Sequence, residues 1–379
     1  MKKLISMIIF SCMVLAFSSC SSNRISFDDE RLTNIRTLSD GRVVSNQITL
    51  HCENAMHSDN FNTIEIIPEI EIDGGIRYVF NETKFLVHSN VNRAVGILSD
   101  NGAFEELFSW GADYETSIIY CDDDYIIYTT YKWEDYYIVD NVIEMYVYSL
   151  SERNSLKIAD IDVVSMWVDH NAVRINDTIY YDIVDYIAED GYAVYSIMEY
   201  NISDQSNKLL CEDACRPSIY NDKLAFIKNS TAIVEYTDEG VSELLNLEQS
   251  GLYQTVNELH ISGDKICYRY SIKTDEEHPD GVTGSGIGFM KDGKRYNVAE
   301  VETAYMCSLS VEGNLAAWNY DSAEGILPIV YDIEKDTAIV LDAERSIYWS
   351  LISDNTVYFI DYLDDSKKIK IITYSANEM

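Results

Sequence analysis

Asp122-Asp123-Asp124 and the stretch Glu276-x-His278-x-Asp280-Gly281 place carboxylates where a calcium ion would take oxygen ligands. Neither has the spacing of a calcium loop. The first is the kind of run a hairpin turn produces in an acidic chain, and the second lacks a leading Asp and a distal Glu. His51 and His57 flank Cys52 with zinc-ligand chemistry, but with only 6 His in the chain the pair reads as incidental. No Gly-x-Ser-x-Gly elbow, His-Glu-x-x-His or phosphate loop occurs. Gly284-Ser285-Gly286-Ile287-Gly288 leads into a strand, so it reads as a loop with no helix amides to offer a phosphate. No catalytic residue, metal or cofactor is expected.

The side chains that remain suit recognition. Between residues 131 and 139 stand Trp133, Glu134, Asp135, Tyr136 and Tyr137, and between 182 and 192 stand Tyr186, Glu189 and Asp190. Trp318 and Tyr320 sit beside Asp321 and Glu324, and a further long segment runs from Thr274 to Ser285. Loops that carry aromatics without turn chemistry often bind something. Tyr and Trp supply stacking and amphipathic contact, and the carboxylates around them favour a cationic partner or sugar hydroxyls. The plainer alternative is that these Tyr, among 29 in the chain, extend two-stranded ribbons.

Charge and composition bound the partners. Of 379 residues, 28 are Lys or Arg and 64 Asp or Glu, a net charge of −36, which excludes nucleic-acid binding through phosphates. A hydrophobic fraction of 47% is too high for an acidic disordered tail, so the chain folds around a core.

The elements that must position these groups are strands. No amphipathic helical pattern lasts three turns, and a period of two dominates. A short polar turn followed by an apolar strand recurs seven times, as in Tyr120-Cys121-Asp122-Asp123-Asp124-Tyr125-Ile126 and Ile261-Ser262-Gly263-Asp264-Lys265-Ile266. The first apolar residues after these turns are Phe85, Tyr125, Ile179, Leu224, Ile266, Leu315 and Val357, spaced by 40 to 54 residues. That spacing is the length of a four-stranded propeller blade. A second turn of Asp, Asn and Gly follows in each unit, as at Met290-Lys291-Asp292-Gly293-Lys294. The expected fold is an all-β propeller of seven four-stranded blades, with six or eight as alternatives. The last unit is one strand short, and Thr63-Ile64-Glu65-Ile66-Ile67 is an unassigned strand ahead of the first, so an N-terminal strand is expected to close the ring.

The extreme N-terminus reads as an address. Lys2-Lys3, an uncharged apolar run from Leu4 to Phe17 and the small residues Ser18-Ser19-Cys20 follow the order of a secretory signal, and the run is too short to span a bilayer comfortably. Phe17-Ser18-Ser19-Cys20 resembles the lipobox of bacterial lipoproteins, with Phe where Leu is usual, which implies lipidation of Cys20 and cleavage before it. The polar Ser-Ser-Asn stretch that follows suits a tether. Together with the seven units, covering residues from about 63 to 379, the chain resembles the TolB-like and related WD40-like β-propellers of exported lipoproteins. It lacks both the Tyr-Trp-Thr-Asp signature of receptor-type propellers and the Gly-His to Trp-Asp pair of the WD40 type, so the subfamily stays open.

The domains expected are thus a signal peptide over 1–19, a lipidated Cys with tether and extra loop or hairpin over 20–60, and a single propeller over 61–379. Cys121, Cys267 and Cys307 lie in strand patterns and should pack as small hydrophobes. Cys211 and Cys215 are close enough to pair, although packing is the plainer reading there too. These features predict a monomeric body on the outer face of a bacterial membrane, held off the lipid by its charge. It would bind a protein or polysaccharide of the cell envelope without catalysis. The alternative is a carbohydrate-active enzyme or accessory domain with paired carboxylates in the central channel.

Overall fold

The computed structural model describes residues 33–37, 43–47, 49–134, 137–162, 170–187, 193–247, 254–272, 284–301, 306–322, 325–341, 347–362 and 368–375. Cys20 and the expected leader lie outside them. The described residues contain no helix and form seven four-stranded antiparallel blades in a ring, as the repeat spacing predicts.

In the first blade the strands run Ile76–Asn81, Lys84–Ser89, Ala94–Ser99 and Phe104–Ser109, from channel to rim. The inner strands of the next six begin at Tyr114, Ala172, Ala214, Gln254, Met306 and Ile347. Each residue chosen to mark the repeat falls in the second strand of its blade. Those strands read as apolar runs because neighbouring blades cover both of their faces. Phe85, Leu86 and Val87 are all buried, as are Leu224 through Ile227.

The turns between first and second strands use the residues that left-handed backbone selects. Asn221 and Asp222 have φ of 49° and 62°, Asp354 and Asn355 of 50° and 61°. These turns also join blades. Asn221 N donates to Gly263 O (3.2 Å), Gly313 N to Ser262 Oγ (2.8 Å), and Asp354 N to Glu312 Oε1 (3.0 Å). The Asp122–Asp124 run belongs to the same girdle. Arg174 of the third blade reaches Asp122 at 2.7 Å and Asp124 at 2.9 Å, and Asp122 accepts the amides of Asp124 and Tyr125.

Closure follows the expected route. Asn62–Ile66 pairs antiparallel with Ile369–Ser375 as the fourth strand of the seventh blade, and Ile66, Ile369 and Ile371 share a buried cluster with Ile76 and Phe85 of the first. The segment before it is paired to the ring as well. Thr49–Leu50 pairs with the outer strand of the fifth blade, and Asn54–Ser58 lies parallel to Thr337–Leu341, the outer strand of the sixth. Leu50 and Cys52 are buried in the core those blades share, which is why this stretch is stitched to the ring from residue 49. A separate hairpin, Thr33–Thr37 with Val43–Gln47, precedes it.

Gly284–Lys291 is a strand, contrary to the loop expected at its glycines. Gly286 and Gly288 stand opposite Tyr270 and Tyr268, and a Cβ at either would lie 2.2 Å from a ring carbon of its tyrosine. The glycines make room for two buried rings. Cys52, Cys121, Cys211, Cys215 and Cys267 are free thiols, so the possible pair at Cys211 and Cys215 is not formed.

Candidate functional site: the channel mouth

The inner strands enclose a cavity of about 830 Å³ lined by residues of all seven blades. Six of the seven inner strands break register against their neighbour, at Ile76/Tyr78, Ile118/Tyr120, Cys215/Ser218, Val256/Glu258, Cys307/Ser310 and Ile347/Trp349. A bulge bends its strand and re-aims a side chain out of the alternation. Here the bulges present Arg77, Ile119, Arg216 and Ser308 to the cavity. Most lie toward the starts of their strands, level with the ends of the second strands, as the pairing of Tyr114 with Lys132 shows.

Arg216 is the most tightly arranged. Its backbone has φ of 57°, costly for a residue with a Cβ, and its N–H donates to Asp182 Oδ2 at 2.9 Å. Asp182 is wholly enclosed and also accepts from Asn171 N (2.6 Å) and Nδ2 (2.9 Å). Burial pushes its carboxyl up, and the Arg216 and Asn171 donors pull against that. Asn171 Oδ1 in turn accepts from the Arg216 guanidinium at 3.0 Å, and His170 Nδ1 donates to the Asp182 carbonyl at 3.1 Å. One buried carboxylate of the third blade thus fixes a bulge of the fourth. Ser308, at φ of 58°, is instead held as an acceptor by Ser350 of the seventh blade, whose N donates to Ser308 Oγ at 2.7 Å and whose hydroxyl donates to the Ser308 carbonyl.

On the opposite side of the mouth the Arg77 guanidinium stacks 4.9 Å from the centre of the Trp349 ring, which is 43% exposed. Behind it His88 is buried. Enclosure and then the Arg77 charge lower its pKa from 6.5 to about 3, so it is neutral. Glu258 is the one carboxylate residue among the described cavity-lining residues. It lies 2.9 Å from Arg269 Nε and 3.0 Å from His260 Nε2, which hold its pKa at about 2 against the opposing effect of burial. Burial and then Asp122 push the Tyr120 phenol and the Cys121 thiol up, so both are neutral and Cys121 is unreactive. Among the described residues no three His, Cys, Asp or Glu side chains stand close enough to hold a metal ion.

The sequence-predicted recognition residues fall into two groups. Trp133 and Glu134 end the strand Tyr125–Glu134 and pair with Ile138 and Tyr137, and Tyr186 pairs with Val194. Both are two-stranded ribbons that outrun the inner strands of blades two and three, on the face toward which most of the bulges lie, and Tyr186 is 53% exposed. Asp135, Tyr136, Glu189 and Asp190 lie outside the described residues. Trp318 and Tyr320 have no exposed surface. They lie in the strand Leu315–Ser322, inside the core shared by blades five and six, and do not reach a face. Arg77, Arg216, Asp182 and Trp349 went unnoticed in the sequence. One signal was available, since Pro217 inside an apolar strand pattern marks a bulge or edge.

Neither a protein-family model nor a curated protein matches the chain. Solved structures do. An oligogalacturonate lyase in complex with manganese aligns with TM-score 0.53 and 11% identity, covering 91% of this chain and 96% of its own. An oligogalacturonate lyase from Vibrio parahaemolyticus gives 0.51 and 13%, covering 92% and 98%. A streptogramin B lyase gives 0.50 and 13%, covering 82% and 97%. At such identities the likeness is one of fold, and the protein is a seven-bladed β-propeller.

Proposed function

We propose that this protein is a non-catalytic binding propeller, tethered through lipid on Cys20 to the outer face of a bacterial membrane, that recognises a protein or polysaccharide of the cell envelope. The observation that supports binding over catalysis is the state of the channel's acids. Hydrolysis of a glycoside by paired carboxylates needs two of them roughly 5 to 9.5 Å apart, one protonated. Glu258 is the single acid among the described lining residues, and with a pKa of about 2 between Arg269 and His260 it stays ionised and cannot donate a proton. Asp182 is enclosed and committed to N–H donors. The ribbons carrying Trp133, Tyr137 and Tyr186, beside the channel mouth, support recognition on that face.

The test has two arms. Fatty-acid labelling of the full chain in a bacterial host should be abolished by Cys20→Ala, and a variant that partitions into detergent like the parent would refute the anchor. Purified protein incubated with envelope glycans should bind without releasing reducing ends. Release that disappears in Glu258→Gln would establish the enzymatic alternative.

A further inference from the structure

The channel wall carries a charge opposite to that of the molecule. Acidic side chains outnumber Lys and Arg by 64 to 28, so a wall of average composition would hold about two carboxylates for each cation. Among the described lining residues the balance is reversed, with two arginines, Arg77 and Arg216, and one carboxylate, Glu258, which pairs with Arg269. Both arginines sit at bulges, where a side chain is turned out of the strand's alternation. Arg216 is kept in left-handed backbone by a fully buried carboxylate, and its half-buried side chain lines the cavity. Its guanidinium is oriented by Asn171, and among the described residues no carboxylate pairs with it. His170 stands beside it, and Trp349 offers an exposed aromatic wall to the same cavity. A volume of about 830 Å³ is that of a small-ligand site.

We propose that the channel mouth binds a small oxyanion, a carboxylate or phosphate carried on a sugar-sized molecule, gripped by Arg216 and Arg77 against Trp349. Guanidinium forks match both oxyanions in bidentate geometry, and a cavity closed at its sides by seven blades strengthens the interaction by limiting solvent. The inference deepens the binding function proposed above and rests on it in one respect, that the ligand is held and not turned over.

Calorimetry on the full chain with glucuronate, glucose 1-phosphate and glucose tests it. At least one of the anions should bind, more weakly as salt is raised, with glucose at least tenfold weaker. Binding of glucuronate alone assigns the site to carboxylates, and of glucose 1-phosphate alone to phosphates. Arg216→Gln should weaken the anion about tenfold or more, equivalent to about 1.4 kcal/mol. Arg77→Gln, which leaves the Asp182 clamp intact, should act in the same direction and serves if the first variant does not fold. Arg174→Gln, among the turns at the opposite end, should change nothing. Absence of binding by both anions, or binding that both folded channel variants retain, overturns the anion site. Binding of neutral glycans alone would overturn it while leaving the binding propeller standing, and conversion of a probe would overturn the binding reading instead.

Discussion

Between pH 6.5 and about 3 the imidazole of His88 takes up a proton in the unfolded chain but not in the folded one. The unfolded state therefore binds more protons across that window, and stability falls as pH falls, by about 1.4 kcal/mol per unit for this one group. Glu258, depressed from 4.5 to about 2, adds a loss of the same sign only below pH 4.5. Urea unfolding at a series of pH values should show the parent losing stability from pH 6.5 downward, and His88→Asn should flatten the upper part of the slope while keeping the lower. An unchanged slope in the variant would place the acid sensitivity elsewhere. Asp182 gives a second prediction at this scale. Asp182→Ala strips three hydrogen bonds from Asn171 and Arg216 and leaves their buried donors unpaired, at about 1 to 3 kcal/mol each if water does not replace it. The expected result is a lower Tm together with weakened anion binding, whereas Arg216→Gln should lower binding with a much smaller change in Tm.

The strands were legible in the sequence and their ends were not. Asp, Asn and Gly turns have a chemistry of their own, so all seven second strands were found at Phe85, Tyr125, Ile179, Leu224, Ile266, Leu315 and Val357. Strands that lie between two blades lose alternation, and Leu315-Ala316-Ala317-Trp318-Asn319-Tyr320 is buried on both faces, so its final residues read as a loop when they are core. Gly286 and Gly288 misled for a related reason, because what they accommodate is a tyrosine on the neighbouring strand. Bulges leave little trace in composition, which is why the arginines at the mouth were missed. The ribbons give a prediction belonging to this scale. Trp133, Tyr137 and Tyr186 changed together to Ala should weaken partner binding by about 2 kcal/mol or more while the Tm stays near that of the parent, since the ribbons outrun the inner strands of their blades. A marked fall in Tm with binding intact would make these aromatics packing residues.

At the scale of the whole molecule the ring depends on its N-terminal strap. The expected closing strand was placed correctly because a last unit one strand short needs a partner, whereas the two short strands at 49–50 and 54–58 were hidden by their length. Deleting residues 21–70 removes all three pairings and leaves the edge at Ile369–Ser375 open. Aggregation, or a Tm lowered by more than about 10 °C, is expected, since Ile66 alone is a fully buried side chain whose loss costs roughly 2 to 5 kcal/mol. Deleting only residues 21–32 should leave the melting curve unchanged.

The strap also gives the molecule a mechanical sequence. A pull on the N-terminus first opens the hairpin of Thr33–Thr37 with Val43–Gln47, then the two pairs at Thr49 and Leu50, next the five pairs of the parallel strand from Asn54 to Ser58, and last the antiparallel strand that closes the ring. Load is thus spent on the rims of blades five and six before it reaches the joint between blades seven and one. In an optical trap, stretching from the N-terminus should give three small, reversible extensions ahead of the single large rupture, and replacing Met56 with Pro should erase the third of them while the force of the final rupture is kept. In the membrane-tethered protein proposed here, drag on a bound partner would then lengthen the leash without opening the ring.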